Sequence, residues 1–343
     1  MDDAGGGRRG RRPGLSPILI DVVLRKYALS LSNAEDLGGS ANLNLLVSSG
    51  DRQFVVRVYR SHVTSVRVDA LQYARTLLVA GGVPCAEPLL TDDGASFVTV
   101  DGNIVEVDPF VESDAKMDSL DRIASGLPML GRIHRLLSTV DRRDALASPP
   151  FTNYVDSVGL VESTQAGTDR IRSWTPTSDE RDLADAADRL ADAVAQSHAG
   201  LGDLSRQLVH GDYWDNNVLF RSGQVVMVGD LDFMGLRPRI DDLALTLYFT
   251  TYQLDDPFGE DGLRQIAQLV DAYDLGASPP LSAMERAALP IAIARQSLWS
   301  VAVWGAQLDD EQTARRHLRG HRREVNRALA LVAGLSRVQA ALA

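Results

Sequence analysis

The apolar periodicity of the chain changes near Val111, and this change limits the folds that the sequence can adopt. Before it, runs with the alternation of β-strands, such as 42–47 and 54–59 around a Gly50–Asp51 turn, predict hairpins. After it, segments with helical spacing dominate, and the first of them covers 120–140. The sequence therefore predicts an α+β fold with a small β-rich lobe and a larger helical lobe, an arrangement that usually leaves a cleft between them.

We expect four regions along the 343 residues. Residues 1–14 are rich in glycine and arginine, which predicts a disordered arm. A nucleotide-binding lobe is expected over 15–107, a hinge over 108–113, and a catalytic and acceptor-binding lobe over 114–343. The Gly81–Gly82 pair predicts the end of a helix within the first lobe.

Charge and cysteine content exclude several classes of protein. The chain has 46 acidic and 35 basic residues and a net charge of -11, which argues against a general binder of nucleic acids or anionic membranes. Its single cysteine, Cys85, excludes an internal disulfide and multi-cysteine metal sites, and we interpret it as a buried spectator thiol. No apolar run approaches the length of a membrane span. A cytoplasmic monomer or homodimer acting on a small molecule is the expectation.

The segment 208–243 carries the strongest indication of chemistry. Asp212 follows a predicted strand on a tight turn, Asn217 comes five residues later, and Asp232 follows the next strands. Strand pairing would bring Asn217 and Asp232 together as hard oxygen ligands suited to Mg²⁺, leaving Asp212 to orient or deprotonate a hydroxyl group. Asp230 is a second candidate metal ligand, or alternatively a solvated carboxylate in a turn.

These motifs resemble the aminoglycoside phosphotransferase and choline/homoserine-kinase-like group, small-molecule relatives of the protein kinases with two lobes. The resemblance lies in His210-Gly211-Asp212 with Asn217, in Leu231-Asp232-Phe233, and in Asp241 to Ala244. It implies that Asp212 is the catalytic base and that Asn217 and Asp232 hold Mg²⁺. It also implies that His210 and Asp242 brace the catalytic loop and that the phosphoryl donor is ATP, or GTP.

The spacing within this segment separates small-molecule kinases from protein kinases. Only eight residues lie between Asp232 and Asp241, too few for an activation segment with a phosphorylation site. Gly211 also stands where protein kinases place the arginine of their H-R-D motif, which would read such a phosphate. The expected substrate is therefore a small hydroxyl compound.

The nucleotide half of the resemblance rests on weaker motifs. Gly39 and Ser40 lie in a loop between strands, where the family places its phosphate-covering loop. Arg57 occupies the strand position of the family's phosphate-gripping lysine. The only lysines, Lys26 and Lys116, lie elsewhere, so we expect Arg57 to grip the phosphates.

Two further contacts of the nucleotide site are expected near the first lobe's helix and the hinge. Asp69 is the candidate acid partner of Arg57, with Gln72 one turn later. The segment around Asp108 and Phe110 resembles the hinge, where backbone groups would meet adenine, although a plain linker between lobes explains it as well.

The acceptor side is expected in the helical lobe. Tyr213 and Trp214 could wall the acceptor site, whereas helical spacing predicts core packing for Trp299 and Trp304. The acidic residues Asp255 and Asp256 could attract a cationic sugar, or belong to a solvated loop.

Three functions remain open from the sequence. An antibiotic acceptor, with resistance by inactivation, is the first hypothesis, and a metabolite such as homoserine, an amino alcohol or a sugar is the alternative. The third is a catalytically silent kinase-like protein that binds nucleic acid or a protein partner. It is suggested by a predicted basic patch made of Arg315, Arg316, Arg319, Arg322 and Arg323 with His317 and His321.

Overall fold

The structure, a computed structural model, describes residues 12–30, 33–38, 42–140, 144–148, 153–199, 204–308 and 310–343. Its first part is an antiparallel five-stranded sheet with the order β1-β2-β3-β5-β4. The strands are β1 (Asn33–Asp36), β2 (Leu43–Ser49), β3 (Arg52–Val58), β4 (Val98–Val100) and β5 (Asn103–Pro109). Two helices accompany this sheet, α1 (Pro17–Lys26) and α2 (Ser65–Ala80).

Turn chemistry explains the two hairpins of this sheet. β2 and β3 pair through the predicted turn, in which Gly50 has a φ of 60°. β4 and β5 pair through Asp101 and Gly102, both at positive φ, a turn type whose twist matches that of the strands. The alternating apolar side chains of β3 face the core, and these are Phe54, Val56 and Val58.

Both helices begin at a side-chain hydroxyl cap. The Ser16 hydroxyl accepts from the Leu19 N–H at the start of α1, and the Thr64 hydroxyl accepts from the Arg67 N–H at the start of α2. α2 ends at the Gly81–Gly82 pair, in which Gly82 takes the left-handed conformation that stops a helix.

The rest of the chain is mainly helical, as predicted. Its helices are α3 (Leu120–Leu137), α4 (Asp144–Ala147), α5 (Leu160–Ser173), α6 (Ser178–Ala199), α7 (Ile240–Thr250), α8 (Glu260–Asp274), α9 (Ala283–Gln296), α10 (Glu311–Leu318), α11 (Arg322–Ala333) and α12 (Leu335–Leu342). The sequence suggested a break near Pro290, which instead lies inside α9. α9 is buried from Ala288 to Gln296, and this packing outweighs the hydrogen bond that proline removes.

Two small sheets interrupt the helices and carry the loops of the site. β7 (Arg206–Val209) pairs with β10 (Gly235–Pro238), and β6 (Ala115–Lys116), β8 (Val218–Arg221) and β9 (Gln224–Val228) form a three-stranded sheet. The β8–β9 hairpin and its Ser222–Gly223 turn follow the prediction. The predicted strand 87–90 has no regular structure, although the Leu89 N–H donates to the Val107 carbonyl oxygen.

Apolar residues form two main cores, which confirms the two-lobed α+β fold. One core lies under the five-stranded sheet and includes Val56 and Val107. The larger core fills the helical part and extends to α2 through Ala74 and Leu78. Within the described ranges, every helix is too short or too polar to cross a membrane.

Candidate active site

Two loops from the small sheets meet at a single point. Gly211 is the second residue after β7 and has a φ of 87°, which favours glycine. A Cβ atom at this position would also collide with the Phe233 carbonyl oxygen. Glycine therefore allows the segment 210–217 to lie directly against the segment 229–234.

The structure places His210 behind this turn, where it joins the two segments. Its Nε2 lies 3.0 Å from the Gly229 carbonyl oxygen, and its Nδ1 lies 3.2 Å from the Asp212 backbone N–H. A carbonyl can only accept and an N–H can only donate, so the ring is neutral with its proton on Nε2. Burial lowers the pKa of His210, in agreement with this tautomer.

Asp242, at the start of α7, supports the same turn from a second side. One carboxylate oxygen accepts from the Gly211 N–H at 2.7 Å, and the other lies 3.0 Å from His134 Nε2. His134 is held in turn by the Tyr273 hydroxyl at 2.8 Å. Burial opposes ionisation of Asp242, but the contact with His134 outweighs it and lowers the pKa of Asp242.

Asp212 is held by two amides. Asn217 Nδ2 donates to one carboxylate oxygen at 2.8 Å, and Asn153 Nδ2 donates to the other at 2.8 Å. Burial, followed by the nearby charge of Asp230, raises the pKa of Asp212. No motif in the sequence points to Asn153, which is 59 residues away from Asp212 along the chain.

The segment after β9 places two carboxylates against Arg57. Arg57 Nη2 lies 2.6 Å from Asp230 Oδ1 and 3.0 Å from Asp232 Oδ2. Asp232 Oδ2 also accepts from Asn42 Nδ2 at 2.5 Å. Burial opposes ionisation of Asp232, but the charge of Arg57 and the bond from Asn42 lower its pKa.

The cavity around Asp212 separates the roles of these two carboxylates. Asp230, together with Asp212 and Asn217, lines that cavity. Asp232 lines a smaller cavity behind it, which Arg57 and Asp230 share. The predicted metal ligand Asp232 therefore serves Asn42 and Arg57, whereas Asp230 faces the site of the proposed chemistry.

The expected pairing of Asp69 with Arg57 is wrong. Asp69 is exposed, because α2 turns a polar face inward that includes Arg67, Gln72 and Arg75. Gln72 and Arg75 both bind the buried Glu106 of β5, each at 2.9 Å. The helix thus carries the cation and the strand the acid of this ion pair.

The expected phosphate loop is described only at its edges. Gly39 and Ser40 lie outside the described residues. Arg12 spans the two ends of the loop, since it contacts the Asp36 carboxylate and donates to the carbonyl oxygens of Gly38 and Asn42, each at 3.0 Å. No sequence pattern indicated this role for Arg12.

The hinge candidates are already engaged within the protein. Asp108 belongs to β5, and its carboxylate lies 3.0 Å from Arg75 Nη1. Burial and the charge of Glu106 raise the pKa of Asp108 to about 7. The Phe110 N–H donates to the Gln53 carbonyl oxygen at 3.0 Å, so in this conformation it is not available to a base.

The cavity at Asp212 has a volume of about 920 Å³ and extends into the helical lobe. Trp214 lines it, as the sequence suggested, and stacks on Phe249 with 4.8 Å between ring centroids. Trp299 and Trp304 also line it, although their spacing predicted core packing. The cavity is thus lined by both polar groups and aromatic rings.

Three candidates for the acceptor wall lie elsewhere. Tyr213 is fully buried, and its hydroxyl donates to the Gly126 carbonyl oxygen at 2.7 Å. Asp255 and Asp256 do not line the cavity, and Asp256 Oδ1 accepts from the Gly259 N–H just before α8. These two carboxylates are therefore loop residues, which was the alternative interpretation.

Two of the five arginines of the predicted basic patch are paired with acidic side chains. Arg315 pairs with Glu180 and Glu311. Arg322 pairs with Asp179 and Asp182. These ion pairs weaken the hypothesis of a nucleic-acid-binding protein, which requires available positive charge.

The donor atoms around Asp212 fit a magnesium ion that arrives with a nucleotide. Among the described residues, no group of three or more His, Cys, Asp or Glu side chains could hold a metal alone. Mg²⁺ commonly binds one or two protein oxygens and completes its shell with water and phosphate. Asn217 and Asp230, on the cavity shared with Asp212, supply donors of this kind.

Comparison with known proteins relates this geometry to a family. A family model described as the phosphotransferase enzyme family matches residues 34–280. The homoserine kinase of Phenylobacterium zucineum (strain HLK1) is 29% identical over 248 residues, which cover 62% of this chain and 74% of that protein.

Solved structures share the fold at low sequence identity. An amicoumacin kinase in complex with AMP-PNP and Ca²⁺ superposes with a TM-score of 0.66 at 14% identity, covering 90% of this chain and 92% of the other. A microcompartment-associated aminopropanol kinase gives a TM-score of 0.65 at 20% identity, covering 93% and 96%.

Proposed function

Because the chain belongs to the phosphotransferase enzyme family, we propose that it transfers the γ-phosphoryl group of ATP to a hydroxyl group of an antibiotic. As a member of this family, it is a small-molecule kinase that acts on hydroxyl acceptors. The nucleotide is bound between residues 15–107 and the hinge at 108–113, and the acceptor is bound by residues 114–343. GTP is an alternative donor.

Asp212 is the catalytic base of this reaction. It accepts the proton of the acceptor hydroxyl as the acceptor oxygen bonds to the γ-phosphorus and the bond to the ADP oxygen breaks. Its raised pKa increases its affinity for that proton, and burial is the main cause. Asn153 and Asn217 fix the carboxylate, so little reorganisation is needed during the transfer.

Asn217 and Asp230 hold the Mg²⁺, and Asp232 is a supporting residue instead of the ligand that the sequence suggested. When bound, Mg²⁺ neutralises charge on the transferred phosphoryl group. Asp232 fixes Arg57 and Asn42, which link the metal segment to the nucleotide half.

Arg57 and the loop at Gly39 and Ser40 bind the phosphates of the nucleotide. The Arg57 side chain is only 14% exposed and already lies beside Asp230, so its charge is directed at the metal and phosphate region. Asp108 and Phe110 are the proposed adenine contacts, and because the Phe110 N–H is engaged by Gln53, its carbonyl oxygen is the group proposed to meet the base.

The size and lining of the cavity at Asp212 support an antibiotic as the proposed acceptor. A volume of about 920 Å³ with several aromatic side chains exceeds what a small polar amino acid such as homoserine fills. The similarity to a homoserine kinase favours the metabolite alternative, because it is a sequence relationship over 248 residues. A catalytically silent binding protein is less well supported, since the candidate base and metal ligands are all present.

Consumption of ATP by the purified protein tests this proposal. The acceptors are a panel of hydroxyl-bearing antibiotics of several classes, homoserine, and aminopropanol, each with Mg²⁺. We expect acceptor-dependent ADP release with an antibiotic and none with homoserine. Turnover of homoserine at a higher kcat/KM than any antibiotic would establish the metabolite alternative. Nucleotide binding without any turnover in the panel would favour the silent protein.

A further inference from the structure

Two aromatic clusters line the cavity at Asp212. The first comes from the loop after β7, from α7 and from the residues just after α7, with Trp214 beside Phe249 at 4.8 Å and Phe249 beside Tyr252 at 6.4 Å. The second comes from the helices near the C-terminus, with Trp299 beside Trp304 at 5.2 Å and Trp304 stacked on His317 at 4.3 Å.

The first cluster is not simply part of the core. Phe249 retains 36% and Tyr252 retains 44% of the exposure of a free side chain. Leaving large rings exposed in this way costs the apolar stabilisation that their burial would give. Exposed apolar surface gathered within a cavity usually marks a ligand site.

The second cluster depends on an unusual helical segment. Residues Ser300–Gly305 form a π-helix, in which hydrogen bonds run from residue i to i+5. In an α-helix, side chains five residues apart point about 140° away from each other. The wider turn instead brings Trp299 and Trp304 together on the cavity side, and such segments occur frequently at functional sites.

The neighbouring helix α5 is shaped to accommodate this π-helix. A Cβ atom at Gly167 would collide with the Val301 carbonyl oxygen, so only glycine allows the approach. Arg170 Nη1 donates to the Gly305 carbonyl oxygen at 2.9 Å at the end of the segment. The position of Trp304 is thus fixed by contacts on the side opposite the cavity.

The cavity offers few negative charges to an acceptor besides those of Asp212 and Asp230. Glu324 is the only carboxylate among its described lining residues apart from Asp212 and Asp230. It lies 2.6 Å from His321 Nδ1 and accepts from the Tyr248 hydroxyl at 2.6 Å. His321 Nε2 lies 2.6 Å from the Ser297 carbonyl oxygen, so the ring is held on both sides and Glu324 is already engaged by His321 and Tyr248.

A polycationic acceptor would find little compensation here. Each amine taken from water needs a carboxylate or several hydrogen-bond acceptors to replace its hydration. His317 offers a cation no negative charge, because an imidazole is neutral or positive, and its ring is stacked on Trp304. Flat rings instead gain from stacking on indole and imidazole faces.

We infer that the acceptor carries an uncharged aryl group, which the Trp214–Phe249–Tyr252 and Trp299–Trp304–His317 clusters hold while its hydroxyl group reaches Asp212. This inference rests on the proposed function, because it takes the cavity at Asp212 as the acceptor site. Trp304 and His317 are then specificity-determining residues. A polycationic aminoglycoside is excluded as the preferred acceptor.

A matched pair of ligands tests the aryl subsite without knowledge of the natural acceptor. Phenyl β-D-glucopyranoside and methyl β-D-glucopyranoside present the same sugar hydroxyls and differ only in the aryl group. Their affinities for the protein saturated with a non-hydrolysable ATP analogue and Mg²⁺ are measured by calorimetry, with kanamycin as the polycationic reference. ATP-analogue affinity is measured separately for every variant.

We expect the phenyl glucoside to bind at least about tenfold more tightly than the methyl glucoside, and kanamycin to bind most weakly. Trp304→Ala and His317→Ala should each reduce that preference to less than about threefold while nucleotide affinity stays unchanged. Tyr73→Ala, an exposed aromatic residue of α2 outside the cavity, is the matched control and should retain the preference.

Several results would overturn the aryl subsite. These are equal binding of the two glucosides, no binding of the phenyl glucoside at millimolar concentration, preferential binding of kanamycin, or a preference unaffected by Trp304→Ala. Failure of the unmodified protein to bind the ATP analogue would instead contradict the proposed function. The glucoside comparison can be repeated without nucleotide, so the two outcomes are distinguishable.

Discussion

Replacement of Arg57 by alanine tests how the two carboxylates of the site are held together. The guanidinium lies 2.6 Å from Asp230 and 3.0 Å from Asp232 and is 14% exposed. Removal of one partner from a buried ion pair costs roughly 3–5 kcal/mol, because the remaining charge is left uncompensated. Asp230 is 29% exposed and water can screen it, so we expect the free energy of unfolding to fall by about 3 kcal/mol.

Urea unfolding followed by tryptophan fluorescence measures this loss, and its pH dependence identifies the cause. Because the pKa of Asp232 is lowered in the folded protein, the stabilisation is present above the ordinary carboxyl pKa of about 3.9 and disappears as the pH falls through the lowered value. The difference between the unmodified protein and Arg57→Ala should therefore be constant between about pH 6 and 8 and shrink below about pH 4.

Two further variants make this reasoning refutable. In the Arg57→Ala background, Asp232→Asn removes the unpaired charge and should recover at least about 1 kcal/mol. Arg52→Ala changes an exposed arginine of the same strand and should alter stability by less than about 0.5 kcal/mol. An Arg57→Ala protein as stable as the unmodified one, or a loss that Asp232→Asn does not relieve, would refute the role of this ion pair.

Three further substitutions or reactions follow from the site. Asp230→Asn should weaken Mn²⁺ binding in the presence of ATP by at least about tenfold, and Asp232→Asn should weaken it by less than about threefold. Electron paramagnetic resonance measures both affinities, and the reverse order would assign the metal to Asp232. Arg12→Ala should raise KM for ATP about fivefold with little change in kcat, because the loop that Arg12 spans loses about 1 kcal/mol of hydrogen bonding. The control is Arg25→Ala on the exposed face of α1, which should leave KM for ATP unchanged. Burial raises the pKa of Cys85 to about 12. Iodoacetamide at pH 8 should therefore modify Cys85 at least about tenfold more slowly in the folded protein than in the unfolded chain. Equal rates would contradict this raised pKa.

The sequence predicts the local parts of this molecule well, because they depend on neighbouring residues. The stop at Gly81–Gly82 and the hairpin turn at Gly50–Asp51 each follow from a few adjacent residues. The spacing from His210 to Asn217 was also informative, since it fixes a whole loop at the end of a strand.

Contacts between distant segments were not predictable from local patterns. Asn153 reaches Asp212 across 59 residues, and Asn42 reaches Asp232 across 190. The prediction for Asp69 was wrong because the inward face of α2 buries arginines and a glutamine. A face with such residues is usually exposed to solvent, so the sequence did not show which side of α2 faces the protein. Likewise, α-helical spacing predicts core packing for Trp304, and only the π-helix brings it to the cavity.

The central claim is that Asp212 deprotonates an acceptor hydroxyl in an ATP-dependent transfer. Once the acceptor panel yields a substrate, mass spectrometry of the product and the rate of ester formation by Asp212→Asn, an isosteric variant, test it most directly. We predict a phosphate monoester whose formation slows by about 10²–10⁴-fold in Asp212→Asn, with the affinity for ATP retained. Ester formation at an undiminished rate in this variant would contradict the claim.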